Sequence, residues 1–152
     1  MLLKGSCHCR AVTFSLRSET PYPYMWCYCS ICRKTAGGGG YAINIMGEAG
    51  SLKVLGKRNL SVYRAKPSSC KRFFCKKCGS ALWVWDQRWA EWTYPFASAI
   101  DTKLPIPPKR ERQLIFLDSK ANWPRLPEGR RFGKYPQEAI IDWHRKRGLL
   151  AA

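Results

Sequence analysis

The residues with the most chemistry to offer are eight cysteines, and they come in groups. Cys7 and Cys9 flank His8; Cys27, Cys29 and Cys32 share one short stretch; Cys70 stands apart; Cys75 and Cys78 precede Gly79. At about 5% of the chain they fall short of the roughly 8–10% of a disulfide scaffold, so metal ligation is the expected use. Thiolates are soft ligands, and four of them around zinc make a tetrahedral site without redox hazard in a reducing cytoplasm.

In an extended chain, side chains two apart point the same way. Cys7 and Cys9 would then offer two sulfurs from one strand face, and Cys27 and Cys29 repeat that geometry. Cys75-Lys76-Lys77-Cys78-Gly79 has the form of a zinc knuckle, in which a tight turn converges two sulfurs and glycine tolerates the left-handed backbone that follows. If Cys7 and Cys9 join Cys75 and Cys78, one metal is saturated and can only hold the fold together. Cys27, Cys29 and Cys32 then give a second zinc three ligands and one open position, the form of a catalytic site. The alternative is that Cys70 or His8 closes that position. Three thiolates around a dication leave a net charge of about −1, so the second site would favour a soft ligand, such as a substrate thiol, over the activation of water. His8 and His144 are the only histidines, which excludes a histidine-rich hydrolase centre by count.

The chain of 152 residues is 45% hydrophobic and 24% charged, the profile of one compact domain over residues 1–152. No apolar run approaches the roughly 18 residues of a membrane-spanning helix, and the start does not have the form of a secretory signal, so the cytoplasm is the expected location. Lysine and arginine number 27 against 10 acidic residues, a formal net charge of +17. Such a field favours anionic partners: a small anionic substrate, or non-specifically a polyanion such as nucleic acid.

The elements that must position the cysteines are mainly β. Strand patterns occur at 11–16, 41–45, 52–55, 60–63, 81–85, 92–96 and 113–117. A short C-terminal helix is expected from Pro136 at its first position, with Glu138 in the first turn, Lys146 and Arg147 in the last, and Gly148 as the stop; Ile140, Ile141 and Trp143 would dock it. The run 37–40 is four glycines, suited to a flexible turn or to close approach of a substrate.

Three segments resemble the glutathione-dependent formaldehyde-activating enzyme family, whose domain is shared with centromere protein V: Gly5-Ser6-Cys7-His8-Cys9-Arg10, Cys27-Tyr28-Cys29-Ser30-Ile31-Cys32, and Phe74-Cys75-Lys76-Lys77-Cys78-Gly79. The late segment 114–124 is similar as well. The resemblance implies a zinc-bearing β-tent fold with a structural zinc at Cys7, Cys9, Cys75 and Cys78 and a catalytic zinc at Cys27, Cys29 and Cys32. It also implies a carbon-sulfur lyase reaction that joins glutathione to formaldehyde as S-hydroxymethylglutathione. Cys70, the glycine run and the high charge depart from the family pattern. The competing reading is a zinc-stabilised basic module that binds nucleic acid or another polyanion.

Overall fold

In a computed structural model the described residues are 1–36 and 38–152; Gly37, the first of the glycine run, lies outside them. The chain forms, in order, β1 (Leu2–Ser6), β2 (Thr13–Arg17), β3 (Met25–Cys27), α1 (Ser30–Thr35), β4 (Ala42–Ile43), β5 (Gly47–Glu48) and β6 (Lys53–Leu55). There follow β7 (Leu60–Tyr63), β8 (Lys71–Cys75), β9 (Ala81–Trp85), β10 (Trp92–Pro95), β11 (Gln113–Ile115), β12 (Arg130–Arg131) and α2 (Ile140–Lys146). The fold is mainly β. None of its helices is long and apolar enough to cross a membrane, among the described residues.

Three sheets share the strands, in the orders β1-β2-β6, β5-β10-β9-β8-β7 and β12-β11-β3-β4. The first two are antiparallel throughout, whereas β11 runs parallel to both β3 and β12. The five-stranded sheet contributes to two apolar clusters. One holds Leu3, Val12, Phe14 and Trp83 with Cys7 and Cys75; the other holds Ala42, Val84, Phe96 and Ile115 with Cys27 and Cys32. Each group of cysteines is thus seated in its own core.

Strand alternation explains the division. On β8, Phe73 and Cys75 face the first cluster, and Arg72, one place out of step, faces the second. On β9 the pairing passes from Phe73↔Trp83 to Phe74↔Ala81, leaving Leu82 as an extra residue. That bulge lets the successive side chains of Leu82 and Trp83 both enter the first cluster while Val84 enters the second.

The C-terminal segment is tied in by β12, and then by a hydrogen bond that the Phe132 amide donates to the Leu114 carbonyl at 2.9 Å. Helix α2 docks through Trp143, which is fully buried and stacks on Tyr24 with ring centroids 3.8 Å apart and planes 6° from parallel. Its C-terminal end is held by the Arg147 guanidinium, which donates to Glu111 Oε2 at 2.6 Å. Gly148 ends it with φ +63.

Strands match six of the seven patterns closely and the 41–45 pattern only at Ala42–Ile43. Two expectations are corrected. Pro136 does not begin the helix, which starts at Ile140; Glu138 instead lies before it and pairs with Lys146 at 3.1 Å and with Arg130 at 3.9 Å, so the residues expected in the first turn serve as a strap. A second short helix, α1, stands between β3 and the glycine run.

Candidate metal centres

The first centre is built by two turns. β1 ends at Ser6, the Arg10 amide donates to the Cys7 carbonyl at 3.0 Å, and the left-handed backbone of Arg10 (φ 58) turns the chain so that Cys9 faces Cys7. The expected strand face is therefore replaced by a turn. Opposite, Cys75 closes β8, the Gly79 amide donates to its carbonyl at 2.8 Å, and Gly79 has φ +74, the left-handed position that the knuckle requires. The sulfurs of Cys7, Cys9, Cys75 and Cys78 all lie within 4.8 Å of one another, with Cys7 to Cys9 at 3.6 Å and Cys9 to Cys75 at 3.8 Å. Cys7 and Cys75 are buried, Cys9 and Cys78 exposed.

The thiols of this set are pushed in opposite directions by their surroundings. A hydrogen bond with the Ser80 hydroxyl, 3.2 Å away, leads the effects that hold the Cys78 thiol down to about 5. At Cys9 a backbone bond from Ala11 pulls downward, but desolvation and the facing thiols of Cys7, Cys78 and Cys75 outweigh it and push the group up to about 11. Four thiols that face one another cannot all ionise without a cation between them.

The second centre combines a strand end with a helix start. Cys27 is the last residue of β3, and the Tyr28 amide fixes the chain to β11 by donating to the Ile115 carbonyl at 2.9 Å. Cys29 caps α1, its sulfur accepting from the Cys32 amide at 3.3 Å, and Cys32 sits within the helix, buried. The three sulfurs lie within 4.8 Å of one another. Bonds from Cys27 and then Cys32 push the Cys29 thiol far down, whereas the bond to Cys29 leads the effects that push Cys27 far up. At Cys32 the bond with Cys27 pulls down, yet Cys29 and burial leave it raised.

Neither proposed fourth ligand joins this group. His8 lies beside the four-cysteine centre, its amide donating to Ser80 Oγ at 3.1 Å. Cys70 packs against the same core as Cys27 and Cys32, but its sulfur stands outside the trio, and Arg88 Nη2 approaches it at 4.0 Å. Of the glycine run, Gly40 (φ +86) is packed under Trp123 and Pro124, where a Cβ would come within 3.2 Å of both side chains. The residue that sequence reasoning missed is Arg72, whose Nη1 and Nη2 each donate to Cys32 Sγ at 3.7 Å. No local pattern marks it, because its partner lies 40 positions away.

A cleft of about 560 Å³ runs from Cys78 to the C-terminal end of α1, where Thr35 and Ala36 line it. Its polar lining includes His8, Arg10, Ser98 and Asp101.

The donor sets fit soft divalent metal ions. Seven sulfurs converge in two groups, and backbone amides already point at two of them, Val12 N–H to Cys7 Sγ and Cys32 N–H to Cys29 Sγ, both at 3.3 Å. Such N–H···S bonds favour the thiolate over the thiol, which is the form a metal binds.

The family model for the glutathione-dependent formaldehyde-activating enzyme matches residues 2–116, a span that includes all seven clustered cysteines. A Halomonas elongata protein provisionally named glutathione-dependent formaldehyde-activating enzyme is 52% identical over 156 aligned positions, 98% of each chain. A crystal structure of a Rhodobacter sphaeroides protein is similar with a TM-score of 0.56 and 27% identity, covering 67% of this chain and 91% of that one. The chain belongs to the glutathione-dependent formaldehyde-activating enzyme family.

Proposed function

We propose that the protein is a zinc-dependent carbon-sulfur lyase-type enzyme that joins glutathione, or a related anionic thiol, to formaldehyde or another small aldehyde. The observation that carries this reading is the convergence of Cys27, Cys29 and Cys32 with no fourth protein ligand in their group among the described residues. In the reaction the thiol sulfur forms a bond to the carbonyl carbon, the C=O π pair moves to oxygen, and that oxygen takes up the proton the thiol has lost. Zinc held by Cys27, Cys29 and Cys32 would supply a position for a soft sulfur ligand and lower the pKa of that thiol. Cys7, Cys9, Cys75 and Cys78 would hold a second, structural ion, saturated by four sulfurs.

The rest of the chain supports a small anionic substrate. The +17 charge raises the local concentration of an anionic thiol. Residues 1–152 act as one β-tent domain in this reading, since β12 and α2 pack back onto β11 and Tyr24. Eight free thiols suit a reducing compartment, the cytoplasm. A second reading, a basic module for nucleic acid or another polyanion, rests on the net charge.

The test is exchange NMR on glutathione mixed with carbon-13 formaldehyde, with metal content measured on the same sample. The zinc-loaded protein should accelerate formation of S-hydroxymethylglutathione, and Cys29→Ser should return the rate to that of the uncatalysed mixture. A fully loaded protein that leaves the rate unchanged overturns the reading.

A further inference from the structure

We propose that Arg72 is a positioning residue of the three-cysteine centre: its guanidinium caps the sulfur of Cys32 and suppresses that sulfur as a nucleophile toward the aldehyde. The proposal rests on the thiol-aldehyde reading above. It starts from an inequality among the three sulfurs. Cys29 Sγ accepts one backbone amide at 3.3 Å, and Cys32 Sγ accepts both Nη groups of Arg72 at 3.7 Å. Among the described residues no N–H donor reaches Cys27 Sγ.

Among the described residues Arg72 has no other side-chain hydrogen-bond or ion-pair partner. It is half-buried in the middle of β8, paired with Tyr63 on one side and Val84 on the other. No carboxylate among the described residues pairs with it, although seven other arginines and lysines have such partners. A guanidinium withdrawn from water needs an anionic partner, and the only one offered is sulfur. Three thiolates around a dication carry about −1, which the arginine balances locally.

The chemistry gives that contact a purpose. An aldehyde carbon does not distinguish a substrate sulfur from a ligand sulfur, so a centre that handles formaldehyde is exposed to attack by its own cysteines. A hydrogen bond draws electron density from the sulfur lone pair that would attack, and a charged, two-pronged donor draws more than an amide. Cys29 carries such a bond from an amide, Cys27 carries none, and Cys32 alone of the three has a charged donor. The fork geometry matters, because lysine would present one point charge to the same sulfur.

The experiment is iodoacetamide labelling of the zinc-containing protein, with the rate at each cysteine read by peptide mass spectrometry, on the native chain and on Arg72→Met, Arg72→Gln and Arg72→Lys. Arg72→Met and Arg72→Gln should raise the rate at Cys32 by about tenfold, the loss expected for a charge-assisted hydrogen bond, with less than about a twofold change at Cys27 and Cys29. Arg72→Lys should restore part of the protection. If methionine and lysine protect equally, Arg72 is a steric shield and the proposal falls. It also falls if Cys32 does not change, or if all three cysteines accelerate together with loss of zinc. Should Arg72→Met fail to fold, the comparison of lysine with glutamine decides. Labelling does not involve glutathione, so the two readings fail separately. A protein that makes no adduct yet protects Cys32 refutes the enzyme assignment alone, and one that makes adduct with unchanged labelling in the variants refutes the role of Arg72 alone.

Discussion

Arg72 and Cys75 stand on one strand, β8, and face opposite ways, the guanidinium 3.7 Å from the sulfur of Cys32 and the thiol 3.8 Å from that of Cys9. A single five-residue strand therefore meets both cysteine centres. Displacement of its C-terminal end disturbs the four-cysteine set directly and the three-cysteine set through Arg72.

This geometry makes the two centres unequal under mutation. Cys75 is fully buried in the first core, so Cys75→Ser should remove one metal equivalent and leave the protein unfolded or aggregated, because metal binding there is folding free energy. Cys29→Ser should also remove one equivalent but leave a cooperative melt. Elemental analysis beside thermal unfolding checks both. Equal loss of stability in the two variants would make both centres structural.

Helix α2 should make stability fall as the solution turns mildly acidic. His144 is fully buried; its Nε2 accepts from the Tyr22 amide at 3.3 Å, so Nδ1 carries the proton and donates to the Ile140 carbonyl at 2.9 Å. Burial lowers its pKa from 6.5, the Ile140 bond opposing and Arg147 adding to the effect. Below pH 6.5 the unfolded chain takes up a proton that the folded chain refuses, so stability present above that pH is lost as pH falls toward the lowered value. The melting temperature should drop between about pH 7.5 and pH 5.5, above the range where ordinary carboxylates titrate. His144→Gln should flatten that slope whatever its own stability.

Gly79→Ala isolates a backbone effect. An added Cβ would meet nothing within 4 Å, so the only cost is the left-handed conformation at φ +74, about 1 to 2 kcal/mol. The variant should fold, melt slightly earlier, and release metal from the four-cysteine centre faster to a chelator. Unchanged release would mean that the knuckle does not hold the ion.

The net charge of +17 predicts DNA binding without sequence preference. If about four phosphates are neutralised, affinity should fall about a hundredfold between about 50 and 200 mM salt. Thiol binding at the three-cysteine centre should persist at about 0.5 M salt, since a metal-sulfur bond is screened far less than surface charge. Calorimetry with glutathione and with a DNA duplex in the same high-salt buffer checks this. DNA binding that survives, with no thiol binding, would favour the polyanion reading.

The cysteine groups were legible because each is a local cluster; that Cys7 and Cys9 would meet Cys75 and Cys78, 66 positions away, was one option of the ligand count, and the family resemblance pointed to it. β2 was legible through apolar alternation and β9 as an unbroken apolar run. What escaped the sequence was set by distant partners. α1 is only six residues long, too short for a helical period, and its cap is a cysteine instead of the usual serine or aspartate. β8 reads Lys71-Arg72-Phe73-Phe74-Cys75, with no alternation, because both of its faces meet a core and one of them seats a charge. Glu138 stands before α2, paired with Arg130 and with Lys146 and Arg147 at the helix's own C-terminal end.

The sulfur of Cys29 is a member of the three-cysteine cluster and also the side-chain cap on the first turn of α1. Any event at that sulfur, whether alkylation, protonation or transfer to another partner, must change the bond accepted from one amide, that of Cys32. Hydrogen-deuterium exchange at this single position therefore gives a reagent-free readout of the centre: slow while the sulfur keeps its place, fast once it is lost, and accompanied by fraying of the first turn of a six-residue helix.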